Sequence, residues 1–181
     1  NSTVWRLYIA QGGLGMPDRD YYLKDEPQYT RVRDAYKKHM RALLALAGKS
    51  KTEVEYIATV SLAIETRLAK ASMKREELRD PEKIYHKKTT SAFTRFVPHL
   101  HWDLYLAKIG TSFLKELVVM QPAFFTEVNA LFADTSLDDL RAYTEWHVIG
   151  DFSGLLGEKF LKENFNWART LTGQKKMRAL W

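Results

Sequence analysis

Between Pro27 and Ala71, two consecutive stretches repeat their apolar residues at three- and four-residue spacing, and this pattern constrains the chain more than any other feature. In the first, Val32, Tyr36, His39, Met40, Leu43, Leu44 and Ala47 share one helical face. Pro27 stands where a first helical residue tolerates proline, and Gly48 where a helix closes. In the second, Val54, Ile57, Ala58, Ser61, Ile64, Leu68 and Ala71 share a face. Ser50 and Glu53 open it as a capping box, in which each side chain can satisfy the other's free backbone N–H. Both helices are one-sided, so each has a face to bury.

The rest of the chain is read around this pair. "TVWRLYIA", Thr3 to Ala10, is rich in β-branched and aromatic residues and reads as one short strand. "QGGLGMPDRDYYLKDEP", Gln11 to Pro27, fits neither a helix nor a strand period. "LRDPEKIY" breaks the second helix, because the residue before Pro81 is pushed away from helical geometry. Short helical pieces are expected through "TTSAFTRFV" and "HWDLYLAKIG", and "ELVVMQP" has strand character. Pro122 can start a helix through Phe124, Phe125, Val128, Leu131 and Phe132. Ser136 with Asp139 resembles a second capping box, with Asp in place of Glu, and a last helix is expected from about Glu158 to Leu171, stopped by Gly173. The expected fold class is all-α, a multi-helix domain over 27–181 preceded by an extended segment and Gly/Pro turn over 1–26.

With 45% hydrophobic and 13% aromatic residues, the 181-residue chain can close a packed core. The net charge of +6 arises from basic and acidic residues interleaved along helices, the pattern of a solvated surface. The densest basic cluster, Arg169 to Arg178, contains no recognisable nucleic-acid-binding module, so nucleic acid is not expected as a partner. Without cysteine there is no disulfide and no thiolate metal site. No run approaches the ~20 apolar residues of a membrane span, and no signal peptide is recognisable at Asn1 onward. Asn1-Ser2-Thr3 fits a glycosylation sequon.

No catalytic or metal-binding constellation can be assembled. None of His39, His86, His99, His101 and His147 stands four residues from another, so a helical HExxH zinc pair is absent. His99 and His101 flank an aromatic anchor at Trp102, and His39 and His147 lie within helices as interfacial or surface residues. No G-x-S-x-G elbow occurs, and the glycines at 12, 13 and 15 do not make a phosphate loop. Catalytic residues: none are expected.

"GGLGMPDRDYYL" nevertheless resembles a hallmark segment of the neprilysin and endothelin-converting-enzyme family of zinc metallopeptidases, which includes bacterial oligopeptidase O. Gly13, Leu14, Gly15, Met16, Pro17, Arg19, Asp20, Tyr21 and Tyr22 carry the match. "RDPEKIYHKKT", with Arg79, Asp80, Pro81 and Tyr85, is similar to a second family segment, with His86 in place of the usual Asn. "HWDLYL" with Trp102, "LVVMQPAFF", "TSLDDLRAYTEWHVI" with Trp146, and the terminal "LTGQKKMRALW" resemble others, in the family's order.

The resemblance implies that the zinc ligands lie C-terminal to such a segment, in a thermolysin-like catalytic domain. This chain then resembles the helical domain that faces the catalytic domain across a cavity and limits access to small peptides. Zinc is implied for the parent enzyme and no cofactor for this chain. The Gly/Pro turn would lie near the junction between domains. Leu23 stands where animal members often have cysteine, which fits a bacterial member, and the family's setting implies a compartment outside the cytoplasm. A domain cut from its partner should expose an apolar patch, expected over Trp5 to Tyr22 and Met177 to Trp181. Two other readings remain: a self-standing helical peptide- or protein-binding module using Trp5, Tyr21, Tyr22 and Trp146, and a basic nucleic-acid binder.

Overall fold

The structure is a computed structural model that describes residues 6–177. Trp5, the Asn1-Ser2-Thr3 sequon and Arg178 to Trp181, which carry part of the expected strand, patch and terminal motif, lie outside the described residues. The chain divides into two compact units, one from Gly15–Thr66 and Ser136–Trp181, the other from Asn1–Leu14 and Arg67–Thr135.

The first unit is helical. It contains α1 (Asp20–Leu23), α2 (Pro27–Leu46), most of α3 (Lys51–Ala71), α7 (Leu137–Phe152) and α8 (Glu158–Thr172). Pro27 occupies the first turn of α2, and Gly48, at φ 84°, takes the left-handed conformation that turns the chain toward α3. The capping box is reciprocal. Glu53 Oε2 accepts from the Ser50 N–H at 2.9 Å, and Ser50 Oγ accepts from the Glu53 N–H at 3.3 Å. At α7, Ser136 Oγ accepts from the Asp139 N–H at 3.1 Å, while the Asp139 carboxylate accepts from the Tyr56 hydroxyl at 2.7 Å. The stripe read on α2 is the core: Tyr36, Met40, Leu43 and Leu44 are all but inaccessible, and α2 packs on α1, α7 and α8. Each fully buried side chain of this size stabilises by roughly 1.5–3 kcal/mol relative to exposure.

The second unit joins α4 (Thr90–Phe96), α5 (Trp102–Lys108) and α6 (Pro122–Asp134) to a three-stranded sheet of β1 (Leu7–Ile9), β2 (His86–Thr89) and β3 (Glu116–Val119). The central β3 runs parallel to β1, with Tyr8 opposite Val118, and antiparallel to β2, with Lys87 opposite Val118. Its Leu117, Val118 and Val119 are buried without alternation, as befits a middle strand covered on both faces. β2 was not expected from the sequence, because "HKKT" has little strand propensity of its own, and its extended form comes from pairing with β3. Beyond β1, Gln11 is held fast: its N–H donates to Gln121 Oε1 at 2.8 Å, and its side chain accepts from the Met73 N–H at 2.7 Å. Arg67 pairs with Glu127 and Asp134 of α6. The architecture is mainly helical, as expected, with a small sheet in one unit.

Candidate functional site: a buried carboxylate beneath the glycine turn

The Gly15–Tyr22 stretch is more ordered than its sequence suggests. Asp18 Oδ1 accepts from the Asp20 N–H at 2.9 Å and starts the single turn of α1, a helix the sequence pattern did not reveal. This turn separates the two tyrosines. Tyr21 remains half-buried, edge-on to Tyr29 at 5.4 Å between ring centroids, and its carbonyl accepts from Arg33 Nε at 3.0 Å. Tyr22 points inward and is buried.

What Tyr22 reaches is Glu65, a carboxylate on α3 with no exposed surface. The Tyr22 hydroxyl donates to Glu65 Oε2 at 2.7 Å and accepts from the Met16 N–H at 2.9 Å. From α2, the Tyr36 hydroxyl donates to Glu65 Oε1 at 2.8 Å. From α7, Trp146 Nε1 donates to the Tyr36 oxygen at 2.9 Å and stands 3.3 Å from Glu65 Oε1. His147 Nε2 also lies 3.1 Å from Oε1, close enough for an ion pair, but its geometry makes no hydrogen bond. Gly15 completes the arrangement. A Cβ there would sit 1.8 Å from the Tyr36 hydroxyl oxygen, so only glycine fits beside that ring.

Burial, and then the charge of Glu65, push the Tyr22 and Tyr36 hydroxyls far above the ordinary tyrosine range, and the same two causes raise Tyr143. These hydroxyls therefore stay protonated, unsuited to act as bases near neutral pH, and those of Tyr22 and Tyr36 serve as donors. Nearby, His39 stacks on Trp167 at 5.6 Å and 15°, and its Nδ1 lies 3.1 Å from Glu163 Oε1. Burial lowers its pKa, opposed by the hydrogen bond and charge of Glu163. The cluster ties α1, α2, α3 and α7 to one another through hydrogen bonds to a single buried carboxylate.

Comparison with known proteins decides what this framework belongs to. The N-terminal-domain profile described as Peptidase family M13 matches residues 1–181. The chain belongs to peptidase family M13. Mouse (Mus musculus) endothelin-converting enzyme-like 1 is 29% identical over 99% of this chain and 24% of its own length, and human (Homo sapiens) endothelin-converting enzyme 1 is 28% identical over 97% and 23%. Among solved structures, the Mycobacterium tuberculosis zinc metalloprotease Zmp1 in complex with an inhibitor aligns with a TM-score of 0.89 at 28% identity, over 95% of this chain and 26% of that one. Its open state gives 0.88 at 27%. The chain thus spans about a quarter of the length of these relatives.

Within this M13 domain, the structure unites only some of the motif residues. Gly15, Tyr22 and Trp146 meet around Glu65. Gly13 takes the positive φ, 75°, that the turn needs, Leu14 is half-buried, and Pro17 is exposed between them and α1. Arg79, Asp80, Pro81, Tyr85 and Trp102 lie in the other unit. Arg79 ends a single 3-10 turn, and Asp80 Oδ1 accepts from the Glu82 N–H at 3.1 Å beside Pro81. Tyr85 is exposed with its ring 6.5 Å from that of Tyr8, and Trp102 packs edge-on to Phe93 and stacks on Tyr105.

Two expectations need correction. The apolar patch placed over Trp5 to Tyr22 is interrupted, because Ile9, Met16 and Tyr22 are buried while Tyr8 is exposed, and Met177 of the C-terminal part is exposed; further exposed apolar side chains lie at Leu104, Tyr105, Ile109 and Phe113, and at Val148, Phe152, Leu155 and Leu156. His39 is a core residue, since its ring is held between Trp146 and Trp167. Zinc, the metal implied by the family, does not fit the residues present: among the described residues no three His, Cys, Asp or Glu side chains converge. No described helix is long and apolar enough to cross a membrane.

Sequence reasoning missed Glu65 as the centre. A signal existed, because Glu65 stands four residues after Ser61 and three before Leu68, inside the apolar stripe of α3.

Proposed function

We propose that this chain is the non-catalytic helical domain of a zinc metallopeptidase that hydrolyses small peptides, closing one side of the active-site cavity and restricting substrate size. The observation that carries this reading is the match of the whole chain to the M13 N-terminal domain, joined to its fold likeness with a zinc metalloprotease of which the chain covers 26%. Its partner is the thermolysin-like catalytic domain of the same polypeptide, which supplies the zinc site. Residues 1–26 then lead to the junction between the two domains, and 27–181 form the wall. The motif order, the lack of cysteine and Leu23 after the tyrosine pair support a bacterial, oligopeptidase O-like member acting outside the cytoplasm.

The chain acts by shape and docking. Incubated alone with zinc and an internally quenched peptide, it gives no turnover. Joined to the catalytic domain, it confines cleavage to short peptides, and its deletion lets longer chains in. Chelator-sensitive hydrolysis by the isolated chain, or an unchanged size limit after deletion, refutes the reading.

A further inference from the structure

Glu65 occupies a position where the α3 stripe calls for an apolar residue, and the polar atoms bonded to it all offer it a hydrogen. The direction of each bond is fixed by the next one out. The Met16 N–H donates to the Tyr22 oxygen, which leaves the Tyr22 proton for Glu65 Oε2. The Trp146 N–H donates to the Tyr36 oxygen, which leaves the Tyr36 proton for Oε1. Two oxygens that each receive a hydroxyl proton describe an acceptor-only group, a carboxylate. A glutamine of the same size would turn an NH2 toward one of those protons.

The same carboxylate explains the glycine. It holds the Tyr36 hydroxyl where a side chain at position 15 would have to go. One buried group therefore accounts for the inward Tyr22, the bare backbone at Gly15 and the anchored amide of Met16.

We propose that Glu65 is a positioning residue, whose carboxylate sets the path of the Gly15–Tyr22 turn so that the motif "GLGMPDRDYY" is a fitting for a buried acceptor. All of these contacts lie within one unit and do not depend on any peptidase role.

The test is hydrogen exchange and NMR on the 181-residue chain carrying Glu65→Gln, Tyr22→Phe or both. Glu65→Gln speeds exchange of the Met16 amide by about 10-fold or more, the size expected when one buried charged hydrogen bond is lost, while the Val118 amide keeps its rate. It also shifts the indole N–H resonance of Trp146 and not that of Trp102. Tyr22→Phe, which removes one oxygen and keeps the ring, speeds Met16 exchange without moving the Trp146 resonance. The double variant exchanges no faster than the faster single one, because both changes break the same bond. If Glu65→Gln unfolds the chain, the Tyr22→Phe pattern decides alone. Unchanged Met16 exchange in Glu65→Gln or in Tyr22→Phe, multiplying effects in the double variant, or, in Tyr22→Phe, uniform loss of protection across the unit overturns the proposal.

Discussion

Replacing Gly15 by alanine tests whether the glycine is there for space or for backbone freedom. Its φ is outside the left-handed region, so alanine meets no conformational strain. The added Cβ instead falls 1.8 Å from the Tyr36 hydroxyl oxygen and 2.5 Å from the ring carbon that bears it. Carbon–carbon contacts settle at about 3.5–4.0 Å, so the ring has to retreat by roughly 1.5 Å. Tyr36 is 1% exposed and has nowhere to retreat without releasing Glu65 at 2.8 Å and Trp146 at 2.9 Å. Losing a buried hydrogen bond to a charged group and misplacing a second gives a destabilisation of about 3 kcal/mol. In a chain of this size that lowers the melting temperature by about 6–12 °C. Urea and thermal unfolding followed by circular dichroism read the change. Gly12→Ala is the control, since nothing lies within 4 Å of its would-be Cβ, and a change of no more than about 1 kcal/mol is expected there. In a Tyr36→Phe background the penalty of Gly15→Ala shrinks, because the nearest atom is gone. A Gly15→Ala variant within about 0.5 kcal/mol of the unchanged protein, or one no worse than Gly12→Ala, refutes the steric argument.

Three further outcomes are expected. Ser50→Ala removes one half of the capping box and lowers stability by about 1 kcal/mol in urea unfolding, while Ser91→Ala, outside the box, leaves the midpoint nearly unchanged. Because burial depresses the pKa of His39, the unfolded chain binds the proton more readily; stability is present above the unfolded value of about 6.5 and is lost as pH falls below it. His39→Gln flattens that part of the pH profile, and an unaltered slope between neutral and mildly acidic pH counts against the assignment. Phe93→Ala empties a site with no exposed surface against Trp102 and Phe125 and costs about 3–5 kcal/mol, seen as early loss of the sheet-bearing unit in hydrogen exchange.

Much of the helical frame was legible because its signals are local. Pro27, Gly48, Ser50, Glu53, Pro122, Ser136 and Gly173 each act within one turn of their own position, and each stands in the structure where its chemistry places it. β2 was not legible, since its polar residues become a strand only beside β3. The site was legible in part. The segments that resemble the family marked Gly15, Tyr22 and Trp146, but none says that the three converge on Glu65, 43 residues from Tyr22 along the chain.

The sequence alone determined the helical period, the helix ends, the lack of any thiolate chemistry and the family resemblance, because these depend on neighbours in the chain or on residue identity. Only the tertiary structure decided which tyrosine of the pair turns inward, why position 15 has no side chain, and that a carboxylate lies at the centre of a helical core. Those outcomes depend on side chains from α1, α2, α3 and α7 sharing one buried space, where an unpaired polar atom is costly and each donor must find its acceptor.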